Sequence, residues 1–286
     1  MKDRTHQFPA QTQERPGYED RMEPTPQAEM SGYEGSGKLA GVRSLVTGGD
    51  SGIGRAVAIA FAKEGADVAI AYLSEHDDAR RTAELVEAEG RRAATIPGDL
   101  SQEDACAAAV EHSIEALGGL DVLVNNIAYQ APVDDPAELT SHQWDLTFRT
   151  NVHSFFWTTQ AALRHMSKGD SVINTSSING LRGNKSLIDY SATKGAILAY
   201  TYSLAQALAP RRIRVNAVAP GPVWTPLIPS TMPPEKVERF GSGQPMGRAA
   251  QPDEIAPSYV FLASNQLSGY YSGEVLAPVG GETMPG

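Results

Sequence analysis

The amino-acid sequence predicts an α/β fold: one doubly wound domain, in which helices cover both faces of a parallel sheet. Three observations favour this fold class. From Leu39 onward, short apolar runs that suit buried strands alternate with longer helical patterns. A glycine-rich turn joins the first apolar run to the first helical pattern. The 286 residues, of which 41% are hydrophobic, are enough for one large domain with a sizeable core.

Seven apolar runs are predicted to form the strands of this sheet. They are residues 42–46, 67–72, 92–96, 121–124, 171–175, 212–218 and 274–278. Because helical patterns separate them, the connections should be crossovers and the sheet seven-stranded and parallel. Ligands of such sheets bind beyond the carboxyl ends of the strands, so functional residues are expected there.

Residues 1–36 differ in composition from residues 37–286. The first segment is rich in Pro, Gln, Glu and Gly and has few aliphatic residues, so it cannot bury enough apolar surface to order itself. The chain is therefore divided into a proline-rich N-terminal extension, residues 1–36, and one folded domain, residues 37–286.

Charge and composition argue against several classes of protein. The formal net charge of −10, with no basic run beyond pairs, disfavours a nucleic-acid partner. No stretch approaches the roughly 18 apolar residues of a membrane span, and the N-terminus lacks the apolar core of a secretory signal. The single Cys106 suits a reducing compartment, so a cytoplasmic protein is expected. The histidines have no metal-ligand spacing, and no catalytic metal is expected.

The glycine-rich turn lies between Val46 and Arg55. Gly48, Gly52 and Gly54 let the chain turn tightly, and they bring backbone N–H groups and the positive end of a helix toward an anion. Strand, glycine turn and helix in this order are typical of a dinucleotide site in a Rossmann fold.

Tyr190 and Lys194 form the second motif. Four residues apart on a helix, the two side chains share one face. A phenol beside an ammonium is a candidate acid/base device, because a neighbouring cation favours the phenolate and lowers the tyrosine pKa.

Together these motifs resemble the short-chain dehydrogenase/reductase family, and further residues match it in order. Asn125 to Ala128 resemble the family's N-N-A-G element, with departures at Ile127 and Ala128. Asn151 lies in a helical segment, residues 139–166, where the family has an asparagine. Residues 215–225 resemble the family's P-G motif. The proline-rich extension resembles a bacterial branch that includes general stress proteins and an aldehyde reductase, and it suggests that the arm packs over its own domain or a neighbouring subunit.

The resemblance implies four catalytic residues: Asn151, Ser177, Tyr190 and Lys194. Ser177 lies thirteen positions before Tyr190, as in the family, and its rival Ser176 should point the other way on the strand end. Tyr190 would exchange a proton with the substrate oxygen, to which Ser177 donates a hydrogen bond. Lys194 would ease ionisation of Tyr190 and bind the nicotinamide ribose, and Asn151 would hold a water that links Lys194 to solvent.

The resemblance also implies a nicotinamide cofactor, NADP or NAD, with NADP slightly favoured. No acidic residue stands directly at the end of the second strand before Glu75, and no base follows it. Asp99 should meet the adenine, Thr225 should approach the nicotinamide carboxamide, and Tyr72 and Ser74 should be neutral neighbours of the ribose. The full predicted set is Gly48, Ser51, Gly52, Ile53, Gly54, Tyr72, Ser74, Asp99, Leu100, Asn125, Ala128, Tyr190, Lys194, Pro220, Gly221, Val223 and Thr225.

The implied function is hydride transfer between the nicotinamide and a carbonyl or alcohol, most simply reduction of an aldehyde or ketone. The residues leave two alternatives open: a glucose-like sugar dehydrogenase, and a non-catalytic dinucleotide sensor. Residues 224–246 should form a mobile lid over the substrate pocket. In this segment Trp224, Leu227 and Met232 could each form an apolar wall of the pocket, belong to the core or contact another subunit. The expected partner is a small-molecule carbonyl or alcohol substrate. By analogy with the family, the enzyme should be a homotetramer.

Overall fold

The structure is a computed structural model that describes residues 7–283. Its centre is one parallel sheet with the strand order β3-β2-β1-β4-β5-β6-β7, so the predicted seven-stranded, doubly wound α/β fold is confirmed. The strands are β1 (Arg43–Thr47), β2 (Asp67–Tyr72), β3 (Ala93–Pro97), β4 (Val122–Asn125), β5 (Ser171–Thr175), β6 (Arg214–Val218) and β7 (Val275–Leu276).

Eleven α-helices accompany the sheet within residues 7–283. They are α1 (Gly52–Lys63), α2 (His76–Ala88), α3 (Glu103–Leu117), α4 (Ser141–Phe148), α5 (Ser154–Ala162), α6 (Ile178–Arg182), α7 (Ile188–Leu208), α8 (Leu227–Thr231), α9 (Pro234–Glu238), α10 (Pro252–Ala263) and α11 (Asn265–Ser268). Short 3₁₀ turns occupy Glu19–Arg21, Pro136–Glu138 and Ala209–Arg211. Among the residues that the structure describes, no helix is both long and apolar enough to cross a membrane.

Two apolar cores lie on opposite faces of the sheet. Successive strand residues alternate between them: Leu45 belongs to the core with α3, α5 and α7, whereas Val46 belongs to the core with α1, α2 and α10. Leu123 and Val124 divide in the same way. This alternation is the expected consequence of a two-residue repeat in a sheet that is buried on both sides.

Most predicted strands lie within two residues of the observed ones, and two elements are shorter than expected. β7 contains only Val275–Leu276, although the flanking carbonyls of Glu274 and Pro278 still accept hydrogen bonds from the Ala217 and Gly221 N–H groups. The predicted helical segment 139–166 is not one regular helix. A π-helical turn, Arg149–His153, separates α4 from α5, and the second helix ends at Ala162.

The N-terminal arm, defined here as residues 7–36, lies on the domain and is ordered by it. The Phe8 ring stacks on Trp224 with 3.7 Å between ring centroids. Trp224 also donates its indole N–H to the carbonyl of Pro24 at 2.8 Å, and Met22 is buried in the same cluster. The prediction that the arm packs over its own domain is therefore confirmed for these residues, which do not order themselves but share a core that the domain supplies. Residues 1–6, which belong to the predicted extension, lie outside the described residues.

The glycine turn between β1 and α1 is closed by one very tight approach. A Cβ atom placed on Gly54 would lie 1.8 Å from the carbonyl oxygen of Gly48. That oxygen is backbone and cannot move away as a flexible side chain would. Gly54 therefore lets α1 start directly against the end of β1.

Substitution of Gly54 tests this packing. Gly54→Ala should lower the free energy of unfolding by about 2 kcal/mol or more, because the new methyl group overlaps backbone. Chemical denaturation measures the change. Gly32→Ala is the matched control, since nothing lies within 4 Å of its added Cβ; equal stability of the two variants would contradict the proposed close approach.

Candidate active site

The predicted functional residues converge on a cleft at the carboxyl ends of the strands. The cleft has a volume of about 570 Å³ and runs from the glycine turn after β1 to the residues that follow β5 and β6. Gly48, Ser177, Tyr190 and Pro220 all line it. Their convergence follows from the parallel sheet, which brings the ends of separate strands to one edge.

Tyr190 and Ser177 lie together on one wall of this cleft. Tyr190 is in the first turn of α7, and Ser177 precedes α6, where its hydroxyl accepts a hydrogen bond from the Asn179 N–H at 3.1 Å. Ser177 is also hydrogen-bonded to Tyr190. The rival Ser176 instead donates its hydroxyl hydrogen to the carbonyl of Lys194 at 2.8 Å, so the structure favours Ser177 as the partner of the tyrosine.

Lys194 is buried beside Tyr190, with 1% of its surface exposed. Its ammonium donates a hydrogen bond to the Thr175 carbonyl at 2.8 Å, and its Nζ lies 5.5 Å from the centre of the Tyr190 ring. Burial lowers the pKa of Lys194 to about 7. Because the lysine is then only partly charged at neutral pH, its effect on the neighbouring phenol is weak.

The pKa of Tyr190 consequently departs from the sequence-based expectation. Burial raises it to about 12, and the hydrogen bond with Ser177 opposes the rise. The prediction that the ammonium lowers the tyrosine pKa is wrong for this arrangement, because loss of hydration outweighs it. A tyrosine with a high pKa stays protonated and is suited to donating a proton.

Asn151 lies in the π-helical turn and is fully buried. Its side chain accepts a hydrogen bond from the Tyr129 N–H at 2.7 Å and donates to the Tyr129 carbonyl at 2.9 Å and to Thr193 at 3.0 Å. The amide is thus occupied by protein groups and fixes the segment after β4 against α7. The water of the expected relay would therefore have to bind backbone atoms rather than the Asn151 side chain. A π-helical turn interrupts the regular backbone hydrogen bonds of a helix, so backbone atoms in it can bind a water.

Most predicted cofactor positions line the cleft. They are Gly48, Ser51, Gly52, Ile53, Tyr72, Asp99, Leu100, Ala128, Tyr190, Lys194, Pro220, Gly221, Val223 and Thr225. Gly54 lies behind the wall and acts through its close packing. Ser74 is exposed and outside the cleft, while its neighbours Leu73 and Glu75 line it.

Asn125 does not reach the cleft with its side chain. It is fully buried, and its amide donates to Thr159 and to Asn174 at 3.0 Å each, while Thr158 donates to its oxygen at 2.6 Å. Alternation along β4 explains this correction: Asn126, the next residue, lines the cleft.

Two buried carboxyl groups in the cleft were missed by the sequence argument. Asp50 in the glycine turn and Glu75 after β2 both line the cleft near Tyr72. Burial, followed by the charge of Glu75, raises the pKa of Asp50 to about 7, and burial also raises the pKa of Glu75. From the sequence, an acid was expected in the cleft only if it stood directly at the end of β2. The fold instead places in the cleft one acid from the glycine turn and one from the loop after β2.

A third missed carboxylate comes from the N-terminal arm. Glu19 is buried, and its Oε2 accepts a hydrogen bond from the Gly52 N–H at 2.6 Å. Arg55 of α1 forms ion pairs with Glu19 and with Asp78, the latter at 2.9 Å. Nothing in the local sequence around Glu19 signals this contact, because it depends on how the arm folds back.

The segment 224–246 carries the short helices α8 and α9 and borders the other end of the cleft. Leu227 and Met232 line the cleft, which agrees with the alternative that they form its apolar wall. Trp224 is not part of that wall: it is fully buried against Phe8 and Met22 of the arm. Among residues 7–283, no group of three or more His, Cys, Asp or Glu residues is placed to hold a metal ion.

The arrangement fits a dinucleotide. Beyond the Gly52 N–H, which Glu19 binds, the start of α1 offers further backbone N–H groups. Gly52, with φ of +54°, lies so close to Thr225 that an added Cβ would be 2.9 Å from its methyl group. A narrow, side-chain-free floor of this kind admits a diphosphate. The cleft then continues to the buried Ser177, Tyr190 and Lys194. Fold and site together define the class of protein, a nicotinamide-dependent oxidoreductase.

Comparisons with known proteins agree with this class. The family described as enoyl-(acyl carrier protein) reductase matches residues 48–283. General stress protein 39 of Bacillus subtilis is 52% identical over 276 residues, covering 96% of each protein. NADPH-dependent aldehyde reductase 1 of Arabidopsis thaliana is 49% identical over 275 residues, covering 94% of this chain and 96% of that protein.

A solved structure gives the same answer. A short chain dehydrogenase from Burkholderia cenocepacia in complex with NADP superimposes with a TM-score of 0.80 at 34% identity, covering 85% of this chain and 98% of that chain. The chain therefore belongs to the short-chain dehydrogenase/reductase family, as its motifs predicted.

The buried Glu19 carboxyl predicts a pH dependence of stability. Burial raises its pKa from 4.5 to about 7, against the lowering effects of Arg55 and the Gly52 N–H, while Asp78 and Glu29 add to the rise. A raised carboxyl pKa stabilises the fold at low pH, and this contribution is lost as pH increases from about 4.5 through about 7. Burial also raises the pKa values of Asp50 and Glu75, so stability depends on pH through them too. These two residues are present both in the wild type and in a variant at position 19, and their effect cancels when the two are compared.

Glu19→Gln should therefore gain melting temperature relative to wild type as pH rises from 5 to 8. The quantity to measure is the difference in Tm between the two proteins at each pH, which removes the contributions of all other groups. A difference that stays constant across this range would contradict the raised pKa.

Proposed function

We propose that this enzyme reduces aldehydes or ketones with NADPH, with Tyr190 as the proton donor. The observation that carries the proposal is the buried group of Ser177, Tyr190 and Lys194 in a cleft that begins at the glycine turn. Relatives support the choice of nucleotide, since the Arabidopsis protein is named NADPH-dependent and the Burkholderia structure contains NADP. Asp50 and Glu75, which would disfavour a 2′-phosphate if ionised, are the reason to test NADH in parallel.

The proposed roles follow from hydrogen bonding and burial. When bound, the nicotinamide supplies the hydride to the carbonyl carbon. Tyr190 gives its proton to the carbonyl oxygen, and the Ser177 hydroxyl donates a hydrogen bond to the same oxygen as negative charge develops on it. Lys194 supports reprotonation of Tyr190 and binds the ribose hydroxyls. Asn151 holds the π-helical turn, whose backbone would bind the relay water.

The substrate end of the cleft supports a small to medium carbonyl compound. Leu227, Met232 and Phe240 give it apolar surface, and Arg182 and Lys236 lie among its lining residues. Arg182 forms an ion pair with Glu282, and Lys236 forms one with Asp134 at 3.3 Å. Removing such charges from water is costly, so they are expected to meet polar parts of a substrate. Sugars are the alternative substrates to be tested in the direction of oxidation.

The test of the proposal is loss of NADPH absorbance at 340 nm with a panel of aldehydes and ketones, and its gain from NADP with glucose and simple alcohols. Tyr190→Phe should lower kcat by about 10²- to 10⁴-fold, because it removes the general acid, while NADPH still binds. Ser203→Ala, which removes an exposed hydroxyl from the same helix, is the control. Wild-type activity in Tyr190→Phe would refute the role of the tyrosine, and activity only with sugars would favour the alternative.

Two exposed apolar patches support assembly as a homotetramer. Trp144, Phe156 and Tyr202, on α4, α5 and α7, are 37%, 45% and 42% exposed, and Leu267, Tyr270 and Tyr271 form the second patch near the C-terminus. A tetramer with two interfaces requires two separate surfaces, which exposed apolar residues in two regions would supply. The proposal includes a cytoplasmic location, with which the single buried thiol of Cys106 is compatible.

Native mass spectrometry tests the assembly. The wild type should be a tetramer, and Phe156→Lys should yield dimers or monomers, because it puts a charge into one interface. Met246→Lys, at a residue 68% exposed and outside both patches, should leave the mass unchanged. A monomeric wild type would contradict the proposal.

A further inference from the structure

Glu19 is the one arm carboxylate, among the described residues, that reaches the glycine turn. Three contacts hold it: the Gly52 N–H at 2.6 Å, the Arg55 guanidinium, and, through its own N–H, the Asp78 carboxylate at 3.0 Å. These partners belong to α1 and α2, so the contact joins the arm to both. The three residues of this group that bear side chains, Glu19, Arg55 and Asp78, are each at least nine-tenths buried.

The contact acts on the turn that must hold the cofactor phosphates. Gly52 is the first residue of α1, and its φ of +54° lies in the left-handed region that glycine adopts readily. A carboxylate that accepts a hydrogen bond from the first N–H groups of a helix stabilises that helix start. Arg55 extends the effect, because its Nε donates to the carbonyl of Asp50 at 2.9 Å.

The same arm also binds the segment 224–246, which borders the other end of the cleft. The Gln13 N–H donates to the carbonyl of Pro229 at 2.9 Å, and Pro24 accepts from Trp224 at 2.8 Å. Gly17 packs so closely that an added Cβ would lie 2.9 Å from the Pro226 carbonyl oxygen. Between these contacts, Pro16 lines the cleft itself. The arm therefore runs from the cofactor side of the cleft to its substrate side.

We propose that Glu19 is a positioning residue for the cofactor: it holds the glycine turn, through Gly52 and Arg55, in the conformation that binds the nucleotide. The N-terminal arm is thereby part of the cofactor site. This inference rests on the proposed function, in that the bound nucleotide is a nicotinamide dinucleotide.

Glu19→Ala is the direct test, with Glu29→Ala as the matched control. Glu29 lies on the same arm and pairs with Arg81 of α2, but both side chains are exposed and neither lines the cleft. Glu19→Ala should weaken NADPH binding, measured by fluorescence titration, and raise the KM for NADPH by about tenfold, as expected for the loss of a charge-assisted hydrogen bond. Its kcat at saturating nucleotide should stay within about twofold of wild type, since no reacting group is changed.

At pH 8, where the Glu19 carboxyl is ionised, Glu19→Gln keeps an oxygen for the Gly52 N–H but loses the charge opposite Arg55, so its affinity should lie between those of wild type and Glu19→Ala. This variant decides the question if Glu19→Ala does not fold. Unchanged NADPH affinity in both variants, or an equal loss in Glu29→Ala, would overturn the proposal in favour of a purely structural contact. Failure of wild type itself to bind NADPH or NADH would instead refute the proposed function.

Discussion

Burial of Lys194 is the constraint on which the site depends. The side chain is removed from water, and its ammonium donates a hydrogen bond to the Thr175 carbonyl at the end of β5. That bond ties α7 to the sheet edge at the place where Ser177 follows the strand. Since Tyr190 precedes Lys194 by one helical turn, the same bond fixes the phenol against Ser177. Burial also brings the pKa of the lysine to about 7, where it can gain and lose a proton near neutral pH.

A buried polar network holds this helix from behind. Asp189, next to Tyr190, accepts hydrogen bonds from Thr147 at 2.6 Å and from Gln143 at 3.1 Å, both on α4. Asn151 bridges the Tyr129 backbone to Thr193 of α7. Such groups are costly to bury without partners, so the satisfied network permits few alternative arrangements of the wall. The rigidity suits an enzyme that must place one hydroxyl within reach of a substrate oxygen.

The sequence predicted the sheet and the glycine turn because each depends on local patterning or strand order. It predicted the Tyr190–Lys194 pair from helical spacing, and Ser177 from the family resemblance. It did not predict that the Asn125 side chain points away from the cleft, where its amide donates hydrogen bonds to Asn174 of β5 and Thr159 of α5. Nor did it predict Glu19, and it left the place of Trp224 open between cleft wall, core and subunit contact, since both depend on an arm that folds only against the domain. The pKa of Tyr190 was missed for a related reason: spacing indicates a neighbouring charge, whereas desolvation requires the packed structure.

The pKa of Lys194 tests the central claim most directly. Titration of the labelled lysine amines by NMR, with the Lys194 signal assigned by its absence in Lys194→Met, gives the value in the intact protein. Burial at the Thr175 carbonyl predicts a midpoint of about 7. A midpoint at the ordinary value of about 10.5 would show that the ammonium is hydrated, and would contradict the buried arrangement from which the site is built.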